Sequence, residues 1–161
     1  MTARPVNHTK LFLAGVAATI AMAGPAVLIA GSGTAHADPQ TLLNLVNDKR
    51  VANHCQPLTM NDNLVAAAER HVDDIAATGS MSHDGSDKST EQTRIQGAGY
   101  APLRGWAENI YRGTSESAAV NAWMNSPTHR RQMLDCSYTD AGFAEATGGS
   151  QTYYVGNFAR H

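Results

Sequence analysis

Gly142-Phe143-Ala144-Glu145-Ala146-Thr147-Gly148-Gly149-Ser150-Gln151-Thr152-Tyr153-Tyr154-Val155-Gly156-Asn157-Phe158 decides the fold. Gly142–Ala146 and Thr152–Phe158 read as strands, the second rich in aromatic and β-branched residues. Thr147-Gly148-Gly149-Ser150 between them has the composition of a hairpin turn. An antiparallel pair therefore closes the chain.

Upstream the periodicity is helical. Asp38-Pro39 is a helix start with Pro at the first helical position, and Leu42, Leu45, Val46 and Lys49 follow as a short stripe. Asn53–Pro57 breaks it. Asp62 is placed to cap a second helix. Its Leu64, Ala67, Ala68, His71 and Ile75 recur at three-to-four spacing, so His71 reads as a core histidine, and Gly79 ends the run. Ser80–Lys88 is a polar loop. Ser89 and Gln92 have capping-box spacing for a short helix ending near Gly97. Gly105–Gly113 is extended or turn-like. Thr114 or Ser115 caps a helix through Trp123, whose indole reads as core. Ser126-Pro127 then starts a further turn to Leu134. Helices first and an antiparallel sheet last make the class α+β.

The beginning of the chain is different in kind. Arg4 and Lys10 precede Leu11–Ala30, a run without charge, followed by Gly31–Thr34 and Ala35-His36-Ala37. Basic, apolar, polar and small-x-small is the order of a secretory signal peptide, here residues 1–37 with cleavage after Ala37. A membrane anchor is the competing reading. The Ala- and Gly-rich run and its Gly24-Pro25 interruption speak against it, and no lipobox cysteine precedes the cleavage site. Residues 38–161 then form one domain, of a size sufficient for one core. They keep every acid and lose Arg4 and Lys10, leaving ten basic and fourteen acidic side chains, a formal charge of −4. No basic run exceeds Arg130-Arg131, so neither nucleic acid nor an anionic membrane surface is an expected partner. Cys55 and Cys136 both lie in this domain. In an exported chain they are expected to pair, and the alternative is two free thiols with one acting as nucleophile.

Three segments carry candidate chemistry: Met81-Ser82-His83-Asp84-Gly85, Gly105-Trp106-Ala107-Glu108-Asn109-Ile110 and Trp123-Met124-Asn125-Ser126-Pro127-Thr128-His129-Arg130. Each sets a His or Glu at a loop or helix boundary. In this order, with Arg94 and Gly99-Tyr100 between the first two, they resemble the CAP superfamily (cysteine-rich secretory proteins, antigen 5, pathogenesis-related 1). The closer resemblance is to its bacterial secreted branch, over about Thr41 to Phe158. Ala107 stands where that family usually has Gly.

The resemblance implies an α-β-α sandwich, with a small antiparallel sheet between helical layers. It also implies a cleft lined by two His and two Glu. His83, Glu108 and His129 match three positions. Asp84, Asp87 and Glu91 are near the fourth, and Glu91 is the one carried over. Trp106 is the candidate cleft wall. His83, His129 and Glu108 form the expected metal set, for Zn²⁺ or another divalent cation, with a position left open. Neutral imidazole is the binding form, so affinity is expected to fall below about pH 6.

A non-enzymatic binding module in the extracellular or cell-wall space is the reading these features favour. Its ligand is an unidentified small lipophilic or cell-wall molecule or an extracellular partner, with no stable membrane insertion after cleavage. Lipid or sterol binding is implied for some family members, although no long apolar groove segment is visible here. A metal-dependent hydrolase, with Glu108 as general base or a metal-bound water as nucleophile, is one rival. Neither an HExxH helix nor a Gly-x-Ser-x-Gly elbow supports it. The other rival is a structural or host-contact domain in which Glu108 and His129 are a buried pair tying sheet to helix.

Overall fold

The computed structural model describes Met1, Thr2 and residues 38–161. Apart from its first two residues, the signal peptide expected over 1–37 lies outside the described residues. Nine elements follow: α1 (Pro39–Ala52), β1 (Thr59–Met60), α2 (Asp62–Thr78), α3 (Glu91–Gly97), β2 (Gly105–Gly113), α4 (Glu116–Asn125), α5 (Pro127–Met133), β3 (Asp140–Gly148) and β4 (Gln151–Arg160). Among the described residues no helix is long and apolar enough to cross a membrane.

The hairpin β3–β4 is the centre of the sheet, in strand order β1-β3-β4-β2. β2 lies antiparallel to β4 with Glu108 opposite Asn157. The sheet is mixed rather than wholly antiparallel, because β1 pairs parallel with β3, Thr59 opposite Asp140. β1 has only two residues, too few to show an alternating pattern.

Side-chain alternation divides the core between two helical layers. On one face Ala68, Val72 and Ile75 of α2 meet Ile110, Ala144 and Val155. Leu64, Ala67, Ile95 and Tyr100 continue that layer towards Ala159, with Trp106 packed against them. On the other face Leu42, Val46, Val120, Trp123 and Met133 of α1, α4 and α5 cover Phe143, Tyr154 and Phe158. The result is the α-β-α sandwich. Each Val, Leu, Ile, Phe or Met among them stabilises the fold by about 1.5–3 kcal/mol through burial. Gly142 lets α2 approach β3 closely, since a Cβ there would collide with the helix backbone at Leu64 and Val65.

Local signals held with small shifts. Asp38 caps α1, accepting from Gln40 N at 2.9 Å. The buried stripe of α1 is Leu42, Leu43, Val46 and Arg50, not the expected one through Leu45 and Lys49. Asn61 rather than Asp62 caps α2. Thr90 with Thr93, not Ser89 with Gln92, forms the capping box of α3. Ser126 precedes α5 without a side-chain cap bond.

Arg50 explains the altered stripe. Fully buried, it donates to the carbonyls of Gln56, Met133, Asp135 and Tyr138 at 2.9–3.0 Å. One guanidinium thus satisfies the last turn of α5 and the two segments beside it. The Cys55–Cys136 disulfide ties the same junction.

Candidate functional site

Glu108 is the fulcrum. It lies on β2, the edge strand, and its side chain has no solvent exposure. An unpaired carboxylate could not be held there. Arg94 of α3 supplies the counter-charge, its Nη2 donating to Glu108 Oε2 at 2.9 Å. The same nitrogen donates to the His83 carbonyl at 2.9 Å, and Nη1 donates to the Ser89 carbonyl at 3.0 Å. One buried guanidinium therefore holds both ends of the His83-to-Ser89 loop against β2. Asn157, across the ladder, donates from Nδ2 to the Leu64 carbonyl at 3.3 Å; with its amide turned over, the orientation its neighbours favour, Nδ2 donates to Glu108 Oε2 and Oδ1 accepts from Ala68 N, each at 3.2 Å.

The other carboxylate oxygen meets imidazoles. His83 Nδ1 donates to Glu108 Oε1 at 3.0 Å and stands 3.4 Å from Glu91 Oε1. His71 Nε2 donates to the Ser82 carbonyl at 3.0 Å and lies 3.4 Å from Glu108 Oε1. His71 occupies the core position expected of it, at 1% exposure. It also supports the site, which the sequence reading did not foresee.

The imidazoles differ electrostatically. The hydrogen bond to Glu108 holds His83 above the ordinary value of 6.5, against the opposing pull of burial. Burial holds His71 below it. Burial, then the charge of His83, holds His129 below it. Glu91 is pushed above the usual carboxylate range by burial first and by Glu108 second.

Of the residues singled out beforehand, His83, Glu91 and Glu108 converge. Among the described residues they are the trio of His, Cys, Asp or Glu whose donor atoms lie within 4.8 Å of one another. Of the expected metal set, His83 and Glu108 belong to this trio, with Glu91 beside them, and His129 does not. His129, on α5, belongs to the opposite helical layer. Its backbone carbonyl accepts from Asn109 Nδ2 at 3.2 Å. The buried partner of Glu108 is Arg94, not His129 as in the structural alternative. Trp106 shares the Glu108 face of β2 two residues away, half-buried against the Leu64–Tyr100 cluster.

Two of the trio's donor separations are of the size a divalent cation would need. Bonds of about 2.0–2.1 Å to tetrahedral ligands put neighbouring donors roughly 3.3 Å apart. The His83–Glu108 and His83–Glu91 separations are 3.0 and 3.4 Å. A cation there would take the place of the proton shared by His83 and Glu108.

Arg94 and Asn157 complete the site, and sequence reasoning missed both as ligands of Glu108. Arg94 was visible only as part of a family resemblance. Asn157 was read as one residue of a strand. The available signal was an Arg three residues after Glu91 on a short helix, and an Asn in an otherwise apolar strand.

Comparison with known proteins follows the same lines. The family model described as CAP, the cysteine-rich secretory protein family, matches residues 43–158. The "uncharacterized membrane protein YlbC" of Bacillus subtilis (strain 168) is 28% identical over 120 residues, which is 74% of this chain and 33% of that protein. The chain therefore spans about a third of the curated relative it matches. An extracellular protein containing an SCP domain from Bacillus anthracis superposes with a TM-score of 0.67 at 25% identity, over 76% of this chain and 40% of that one. An outer surface protein of Borrelia burgdorferi shares the fold with a TM-score of 0.71 at 19% identity, over 80% of this chain and 99% of that one. So does NaASP2, solved with Zn²⁺, with a TM-score of 0.57 at 13% identity, over 80% and 82%.

Proposed function

Since the chain belongs to the cysteine-rich secretory protein (CAP) family, we propose that it is an exported binding module, cleaved after Ala37, that captures a divalent cation at the edge of β2. Zn²⁺ is the first candidate. The carrying observation is the convergence of His83, Glu91 and Glu108 within 4.8 Å, with Glu108 buried and its second oxygen engaged by Arg94. That arrangement divides the labour. Arg94, Asn157 and His71 hold Glu108 at one orientation. His83 and Glu91, each partly exposed, form the accessible side. Preorganised donors of this kind are the usual support of a metal ligand.

When bound, the ion supplies a Lewis-acidic coordination point for a small extracellular or cell-wall ligand. His129 stands on the other layer, near enough for His83 to depress its basicity, and serves as a contact for that ligand. The Zn²⁺ of the NaASP2 structure supports this reading by analogy of fold. Glu108 is without solvent exposure and has donors on both oxygens, which disfavours it as the general base of a hydrolase.

Titration calorimetry with Zn²⁺ tests the proposal on the wild type, Glu91→Gln and His83→Ala. One ion at micromolar affinity or better in the wild type, weakened at least tenfold in each variant, is expected. Equal affinity in all three would remove the trio as the site, and no binding in any would remove the metal.

A further inference from the structure

Residues 82–91 carry two of the three donors of the cation trio, His83 near the start and Glu91 at the end. Two buried side chains of the site hold the backbone of this segment at its ends. His71 Nε2 lies against the Ser82 carbonyl, and Arg94 donates to the carbonyls of His83 and Ser89. The middle of the segment is held from outside the site. Ser86 N donates to Asp74 Oδ2 at 2.8 Å, and Ser86 Oγ donates to Asp74 Oδ1. Arg70 Nη2 donates to Asp87 Oδ2 at 2.6 Å. Arg70, His71 and Asp74 share one side of α2, the first and last a turn apart, so that side meets the segment at three points.

The segment is also tied to itself. Asp84 N donates to Ser82 Oγ at 3.0 Å, and Ser89 N donates to Asp87 Oδ1 at 2.9 Å. Gly85 N donates to the Ser89 carbonyl at 2.8 Å, and Lys88 N donates to the Gly85 carbonyl at 2.9 Å. The chain closes so tightly that a Cβ at Gly85 would collide with Ser89 Oγ and Asp87 Oδ1. A hold on Ser86 is therefore transmitted to both His83 and Glu91. The two outer ties are unequal. Arg70 and Asp87 are each more than half exposed, and an ion pair in water contributes little. Asp74 is partly buried and receives both the backbone N–H and the hydroxyl of one residue. Those two bonds hold its carboxyl below the ordinary value, as expected where the ionised form is the one bonded.

We infer that Asp74 is a positioning residue for the cation site: through Ser86 it fixes residues 82–91 so that His83 and Glu91 stand within capture distance of Glu108. The inference rests on the cation reading proposed above and extends it to a residue outside the trio. The role is one of position rather than charge. Asparagine can keep both contacts, with Oδ1 accepting from Ser86 N and Nδ2 donating to Ser86 Oγ. Alanine can keep neither.

Zn²⁺ titration calorimetry on the whole protein, with the wild type, Asp74→Ala and Asp74→Asn all shown to be folded by circular dichroism, tests it. Asp74→Ala is expected to bind about tenfold more weakly than the wild type, as for loss of a group that orients a metal ligand. Asp74→Asn is expected to bind close to the wild type. Equal affinity of Asp74→Ala and the wild type overturns the inference and leaves the cation site standing. An Asp74→Asn variant as weak as Asp74→Ala also overturns it, because the effect would then belong to the charge. A second measurement needs no metal. In the apoprotein, amide exchange at Ser86 is expected to quicken, and the nuclear Overhauser contact between the His83 ring and the Glu108 side chain to fade, in Asp74→Ala but not in Asp74→Asn. If even the wild type binds no Zn²⁺, the cation reading falls, and this second measurement decides whether Asp74 positions His83. Unchanged exchange and contacts in Asp74→Ala overturn that too.

Discussion

Arg94 and Glu108 meet at 2.9 Å with side-chain exposures of 1% and 0%, so neither charge has access to water as a substitute partner. Breaking such a pair costs far more than the pair contributes, because the survivor remains buried and uncompensated.

Arg94→Met is therefore expected to destabilise the protein by about 3–5 kcal/mol. Arg94→Met combined with Glu108→Leu is expected to cost less than the single Arg94 change. Urea denaturation of the four members of the cycle measures the coupling. Strict additivity of the two changes would contradict the pairing.

His83 sets a pH dependence whose sign follows from its hydrogen bond to Glu108. Its folded-state pKa lies above the ordinary 6.5. Its contribution to stability is thus fully present below 6.5 and disappears as pH rises through the raised value. Cation binding should run the opposite way, strengthening over that window as the proton leaves. The loss of affinity on acidification therefore begins above the pH 6 region expected from an unperturbed imidazole. NMR titration of His83, run beside Zn²⁺ calorimetry from pH 6 to 8.5, checks both slopes.

The junction of α1 with the segment after α5 is secured twice, by Cys55–Cys136 and by Arg50. Replacing both cysteines by serine is expected to cost about 4 kcal/mol. Arg50→Ala should cost at least about 3 kcal/mol, since several buried carbonyls lose their donor together. Chemical denaturation of each variant gives these values. Native near-ultraviolet circular dichroism should survive the cysteine change.

Gly142→Ala should be among the most damaging one-carbon additions in the chain, at or beyond the roughly 1–3 kcal/mol typical of overpacking. The methyl would meet helix backbone, which cannot rotate away as a side chain can. Gly149→Ala adds a methyl into open space and meets only the cost of its φ of +60°, about 1 kcal/mol. Thermal melts of the two variants should differ by several degrees.

Elements whose cause is local were legible beforehand. Pro39 after Asp38, the αL Gly79 and the turn around Gly148-Gly149 act over a few residues, and the elements they bound lie where the sequence put them. What depends on distant partners was not legible. The two residues of β1 are a strand only because Asp140 and Ala141 lie beside them. Arg50 joins the buried stripe of α1 because carbonyls more than 80 residues away receive it, and no apolar pattern marks such a position. The site divides in the same way. His83, Glu91 and Glu108 were visible as residue types at segment boundaries. The roles of Arg94, His71 and Asn157 appear only once α2, α3 and β4 are packed on β2.

Glu108 and Asn109 are consecutive on β2 and point to opposite faces of the sheet, one anchoring the loop that carries His83 and the other the carbonyl of His129. The His83 loop and the His129 turn are thus referenced to adjacent residues of one strand, on opposite faces of the sheet. A slip of β2 by one residue against β4 would exchange those faces and send each anchor into the wrong helical layer.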